Sequence, residues 1–149
     1  MDNKFGTGKI IQNFSLLKRE LPILLANQAQ RYFVATFKEQ GFDGTNWKEV
    51  KRREPETTEY KYPKTKGLSR RTSPILVRTG KLRRAVNDSI RSATFESIKF
   101  ITAVPYASYQ NSGTDNIPKR KFMGDSKILR RKQTELITKN IDKAFHGRN

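Results

Sequence analysis

Cysteine is absent from the 149 residues, and histidine occurs once, at His146. Without a thiol there is no disulfide framework and no thiolate metal site, and a single imidazole does not assemble a zinc centre of the usual His or Cys type. A Ser-His-Asp arrangement would have to draw on a residue beside the chain end, where backbone is commonly frayed. No run of 18 or more apolar residues occurs, which excludes a hydrophobic spanning helix, and the opening 1-MDNKFGTGKI-10 lacks the apolar centre of a signal peptide. The expectation is a soluble chain made in a cytoplasm, with no membrane partner. Acidic residues are scarce too: 14 Asp and Glu stand against 31 Lys and Arg, a formal net charge of +17. Charge of one sign opposes compaction and self-association unless countercharge is supplied, and it calls for an anionic partner, either nucleic acid or an acidic protein surface.

The carboxylates that remain offer little chemistry. Glu54, Glu56 and Glu59 lie among basic and proline residues, with no apolar wall to shift their pKa values. Asp43, Asp88, Asp115 and Asp125 fall at turn or cap positions, where a short carboxylate accepts backbone N–H bonds. Gly6 and Gly8 in 5-FGTGK-9 lack both the spacing and the preceding apolar strand of a phosphate loop. No acid–base pair is preorganised, so the chain is expected to be no enzyme and to use no metal or cofactor.

The length fits one domain, residues 1–149, able to bury roughly 70% of the surface of its unfolded chain. Ile10, Ile11, Phe14, Leu16 and Leu17 form an apolar patch suited to a short helix or docking arm. Pro22 suits the first turn of a new helix, in which Ala26, Ala29, Phe33 and Phe37 recur at helical spacing up to Gln40, with Gly41 as the stop. The stretch 41-GFDGTNWKEV-50 reads as a turn that leads into the single Trp47, an anchor against the core. From Lys48 to Pro74 the chain is polar and carries no apolar period, which predicts a long basic loop or extended arm that orders on assembly.

Ile75, Leu76 and Val77 then form a short buried segment, Thr79-Gly80 a turn, and Leu82, Ala85 and Val86 share one helical turn. A strand starts within 86–92 or just after and pairs in a hairpin with a strand over 95–104, the turn lying at 87–88 or 92–94. Residues 106–118 hold a helical turn, Asp125 or Ser126 caps a last amphipathic helix, and Gly147 ends it. The fold class is α+β: a small antiparallel sheet with a long N-terminal helix and a C-terminal helix packed on one face, plus the basic arm.

Basic runs punctuate this frame at Lys51-Arg52-Arg53, Arg70-Arg71, Arg83-Arg84, Lys119-Arg120-Lys121 and Arg130-Arg131-Lys132. With Tyr60, Tyr62 and Phe122 nearby they could grip phosphates and stack bases, although no RNP-type strand, zinc finger or helix-turn-helix pattern accompanies them. Acidic protein neighbours, nucleic acid and plain solvation of a charged face all remain open.

The order of the pieces carries more than any one of them. A helix ending in Phe leads through a Gly-containing turn to Trp (37-FKEQGFDGTNW-47). A polar stretch follows, then 75-ILVRTGKLR-83, 106-YASYQNSG-113, 118-PKRKFMG-124 and a closing helix. This order resembles the phage virion morphogenesis family, the tail-completion proteins of Mu-like phages, over residues 20–145. Phe37, Gly44, Trp47, Thr79, Gly80, Leu82, Tyr106, Gly113 and Gly124 carry the pattern. It departs from the family in Tyr109 and Asn111, where an aromatic or His-Gln pair is common, and in its very basic middle arm.

The resemblance implies a structural virion component at the head–tail junction or upper tail, made in the host cytoplasm and acting as a ring of copies, a hexamer or a dodecamer. Its neighbours would be head–tail connector, tail terminator or tail tube proteins, with non-specific contact to packaged DNA. On that footing Lys81, Arg83, Arg84, Lys119, Arg120, Lys121 and Phe122 are expected to face a neighbouring subunit or partner. A small basic nucleic-acid-binding protein is the alternative.

Overall fold

Apolar side chains every three or four residues drive the first element, α1, which spans Thr7–Glu39 in a computed structural model that describes residues 7–63 and 69–146. Ala26, Ala29, Phe33, Thr36 and Phe37 form its buried stripe, as the spacing predicts. The helix begins far earlier than expected. Gly8 and the patch from Ile10 to Leu17 belong to it, and Pro22 lies inside it rather than at the start of a second helix; Gly6 lies outside the described residues. A proline cannot donate to the carbonyl four residues back. Burial of Leu21 and Pro22 works against that loss.

The helix stop is Gln40, not Gly41. Gln40 takes the left-handed conformation at φ 55°. Its amide clasps the backbone of Ile75, donating to the carbonyl at 3.3 Å and accepting from the N–H. Gly41 is needed for another reason: a Cβ there would lie 2.6 Å from the Thr45 carbonyl oxygen. That close approach belongs to a hairpin which the sequence presents only as a turn. In it, β1 (Gly41–Phe42) pairs antiparallel with β2 (Thr45–Asn46) across Asp43-Gly44, both at positive φ.

The segment from Lys48 to Pro74 is not an uninterrupted loop. A 3-10 turn at Lys51–Arg53 is followed by the helical turns α2 (Thr58–Lys61) and α3 (Ser69–Thr72), while residues 64–68 lie outside those described. Guanidinium groups replace the missing apolar core. Arg52 and Arg53 donate to the Ser73 carbonyl at 2.9 and 2.6 Å, and Arg53 Nε donates to that of Arg71 at 2.8 Å. Thr57 caps α2 by accepting from the Tyr60 N–H.

Pro74 to Gly80 turns rather than extends. Ile75 is buried as expected, but Leu76 sits at φ 61° and, with Val77, is only half-buried. Next come α4 (Lys81–Asn87) and the hairpin of β3 (Ile90–Ala93) with β4 (Ile98–Phe100), paired Ile90↔Phe100, Ser92↔Lys99 and Ala93↔Ile98 with a bulge after Ile90. The hairpin turn falls at 94–97, later than either expected position, and shortens the expected 95–104 strand. Thr94 and Ser97 exchange hydroxyl and backbone bonds there and take those groups from the ladder.

The chain closes with α5 (Ala107–Ser112) and α6 (Lys127–His146). Of the two expected caps, Ser126 is the one that accepts the Leu129 N–H, at 3.0 Å. The expected stop at Gly147 lies outside the described residues.

The molecule is mixed helix and sheet, α+β, with two small antiparallel sheets rather than one. It divides into two compact units. The first holds α1 up to Gln30, residues 90–101 and the chain from Asp125. Within it α1 and α6 run antiparallel: Gln28 donates to the Lys132 carbonyl, Gln133 to that of Leu25 and Asn13 to that of Ala144, partner numbers rising on one helix as they fall on the other. The second unit holds residues 31–89 and 102–124.

Candidate interaction surface

The second unit gathers most of the residues that the sequence singles out. Phe37 meets Trp47 edge-on with ring centroids 5.7 Å apart, and Phe122 at 5.4 Å. All three are buried, with Phe122 only 1% exposed. Trp47 Nε1 donates to the Lys121 carbonyl at 2.7 Å, so the loop anchor expected at Trp47 is present. Phe122 is a core side chain, not an outward peg.

Arg120 is likewise turned inward. Its guanidinium donates to the carbonyls of Lys48 at 3.1 Å and Glu49 at 3.2 Å, and burial pushes its pKa below the usual value while Glu49 opposes the shift. Charged donors satisfy peptide carbonyls that a loop would otherwise bury unpaired. Two of the residues expected to face a partner therefore hold the subunit together. Lys121 is half-buried, its ammonium 4.6 Å from the Phe42 ring centroid, and Lys119 is exposed.

Asn111 stands in the sequence only as a departure from the family pattern, and it organises this loop. Its Oδ1 accepts from the N–H groups of Phe122 at 2.9 Å and Met123 at 3.0 Å, while its Nδ2 donates to the Met123 carbonyl at 3.1 Å. Gly113 (φ 80°) follows on α5, where a Cβ would lie 2.9 Å from the Lys119 backbone nitrogen. Sequence alone gives no signal for the asparagine, because its partners lie eleven and twelve residues away.

Thr79, Gly80 and Leu82 build the start of α4. Thr79 Oγ1 accepts from the Lys81 N–H at 3.4 Å, Gly80 caps the helix at φ 69°, and Leu82 and Val86 are buried. The buried pair fixes which way the helix faces, so Lys81, Arg83 and Arg84 are exposed as expected, together with Arg78. The Arg84 guanidinium folds back over Gly80, where an added Cβ would be 2.9 Å from Nη1.

Charge pairing separates this stretch from the 48–74 segment. In the 48–74 segment Lys51 faces Glu59 at 4.0 Å, Arg53 faces Glu49 at 3.3 Å, Lys61 faces Glu56 at 3.1 Å, and Arg71 stacks 4.0 Å from the Tyr60 ring centroid. The side chains of Arg78, Lys81, Arg83 and Arg84 have no hydrogen-bond or ion-pair partner among the described residues. Four uncompensated cations within seven residues can attract a polyanion or an acidic surface. Among the described residues no group of three His, Asp or Glu is placed to hold a metal ion. Nor is any described helix long and apolar enough to cross a membrane. Tyr106, at the start of α5, and Tyr109 are both exposed, and Gly44 and Gly124 occupy positive-φ turns.

No protein-family model, curated protein or solved structure matches this chain.

Proposed function

We propose that this chain is a structural component of a tailed-phage virion, a tail-completion or neck protein whose copies form a ring that joins tail to head. One observation carries the reading: the segments of the resemblance, dispersed along the sequence, pack against one another. Phe37, Trp47 and Phe122 share a cluster, Gln40 clasps Ile75, and Asn111 clasps Phe122 and Met123. Motifs that meet in one core behave as the frame of a fold. The free cations of 78–84 then suit an acidic neighbour at the junction.

The test is mass spectrometry of gradient-purified particles of the encoding phage, with electron microscopy of lysates after deletion of the gene. The chain is expected in the particle, and its loss should leave filled heads and separate tails. Its absence from particles, with heads and tails joined without it, overturns the proposal.

The same uncompensated cations favour a second reading, sequence-independent binding of nucleic acid. Four neutralised phosphates on duplex DNA predict a log–log salt slope of roughly −3.6. Arg83→Glu with Arg84→Glu should about halve that slope under this reading. Under the virion reading the same variant should fail to restore head–tail joining while keeping its circular dichroism spectrum.

A further inference from the structure

The large apolar side chains that remain exposed are not spread evenly. Among the described residues, apart from three tyrosines, all of them lie in the first unit. Five gather around one point. Phe14 on α1 and Phe145 on α6 meet with centroids 6.2 Å apart, and Lys18 Nζ lies 6.0 Å from the Phe14 ring and 5.3 Å from that of Phe95, at the β3–β4 turn. Ile10 and Ile141 stand one helical turn from Phe14 and Phe145. Exposures are 38% for Ile10, 43% for Phe14, 57% for Phe95, 39% for Ile141 and 41% for Phe145.

We propose that this cluster is the face through which copies of the chain associate. At roughly 200 Å² of surface per large side chain, these exposures leave about 400 Å² of apolar area open to water. A standard protein interface takes about 800 Å² from each partner, somewhat more than half of it apolar, so the cluster supplies most of what one side requires. The antiparallel α1–α6 pair is also half of a four-helix arrangement, which a second pair completes.

Charge favours a second copy over other occupants. Both signs stand at the cluster: Lys18 lies against Phe14 and Phe95, and the exposed Glu96 follows Phe95. A mixed rim lets the cations of one copy meet the acids of another, whereas the 78–84 stretch of one copy would repel that of the next. An anionic lipid surface would be opposed by Glu96 beside the most exposed of the five, and nucleic acid offers no matching apolar area. The inference goes beyond the proposed ring, because a face that meets its own copy closes a two-fold pair, and it stands or falls apart from the virion assignment.

The test is sedimentation equilibrium of the purified full chain at moderate salt, without nucleic acid. The wild type is expected to associate, Phe95→Glu to weaken association about tenfold or more, and Arg83→Glu with Arg84→Glu to leave it unchanged. Phe95 lies in a turn, so circular dichroism of Phe95→Glu should match the wild type. Because the chain contains no cysteine, Phe95→Cys provides a unique thiol, which a short bis-maleimide should link between copies. A monomeric wild type overturns the proposal. So does association indifferent to Phe95→Glu with no cross-link, or binding to phosphatidylserine vesicles without self-association.

Discussion

At the scale of single residues, the structure turns surface expectations into core contacts. Phe122→Ala should cost about 3–5 kcal/mol, the range for emptying an aromatic site in a packed core. Urea unfolding followed by Trp47 fluorescence measures it, and a change below about 0.5 kcal/mol would return Phe122 to the surface. Gln40 sits in the left-handed region and also clasps Ile75, so its two roles can be separated. Gln40→Ala loses the clasp and keeps the left-handed penalty of about 1 kcal/mol that glutamine already carries, whereas Gln40→Gly loses the clasp and is relieved of that penalty. The alanine variant should therefore be the less stable of the two in the same measurement. Glu49 supplies a pH dependence. The Val50 N–H bond, aided by Arg53, holds its carboxyl below the usual value of 4.5. Its contribution is therefore present above the ordinary carboxylate range and is lost as pH falls through the lowered value. Glu49→Gln should remove that increment and flatten the acid limb of unfolding; an unchanged acid limb would exclude it.

At the scale of elements, the 48–74 segment shows a polar sequence held by its own cations. Arg53 ties its two ends, reaching Glu49, Arg71 and Ser73. Arg53→Ala should leave the helices intact while raising the rate of cleavage after Glu54, Glu56 and Glu59 by a glutamate-specific protease, because local opening exposes these bonds. Equal cleavage in variant and wild type would place the restraint elsewhere. By contrast, α4 is held by two buried side chains, Leu82 and Val86, which leaves its cations free for a partner at no cost to the fold.

At the scale of the whole molecule, the charge of +17 works against compaction. The ion pairs described are mainly between exposed side chains and contribute little. Screening should therefore relieve more repulsion than attraction. Calorimetry at low and at several hundred millimolar sodium chloride is expected to show a higher unfolding midpoint at high salt. A lower midpoint would mean that the surface pairs outweigh the net repulsion.

The sequence by itself determined what depends on period and local chemistry. The stripe from Ala26 to Phe37, the helical turn of Leu82 and Val86, a cap at Asp125 or Ser126, a hairpin after that turn and the α+β class all follow from spacings of two to four residues. So does the outward set of Lys81, Arg83 and Arg84. Tertiary structure decided what depends on partners distant in the chain. Arg120 and Phe122 point inward because Lys48, Glu49 and Phe37 wait for them more than seventy residues away. Pro22 stays within α1 where a local rule would start a new helix. The physical reason is range: periodicity is written by neighbours on one face of an element. Whether a cation or a ring on a loop meets water or a carbonyl is set by which remote backbone folds against it, and no local pattern encodes that.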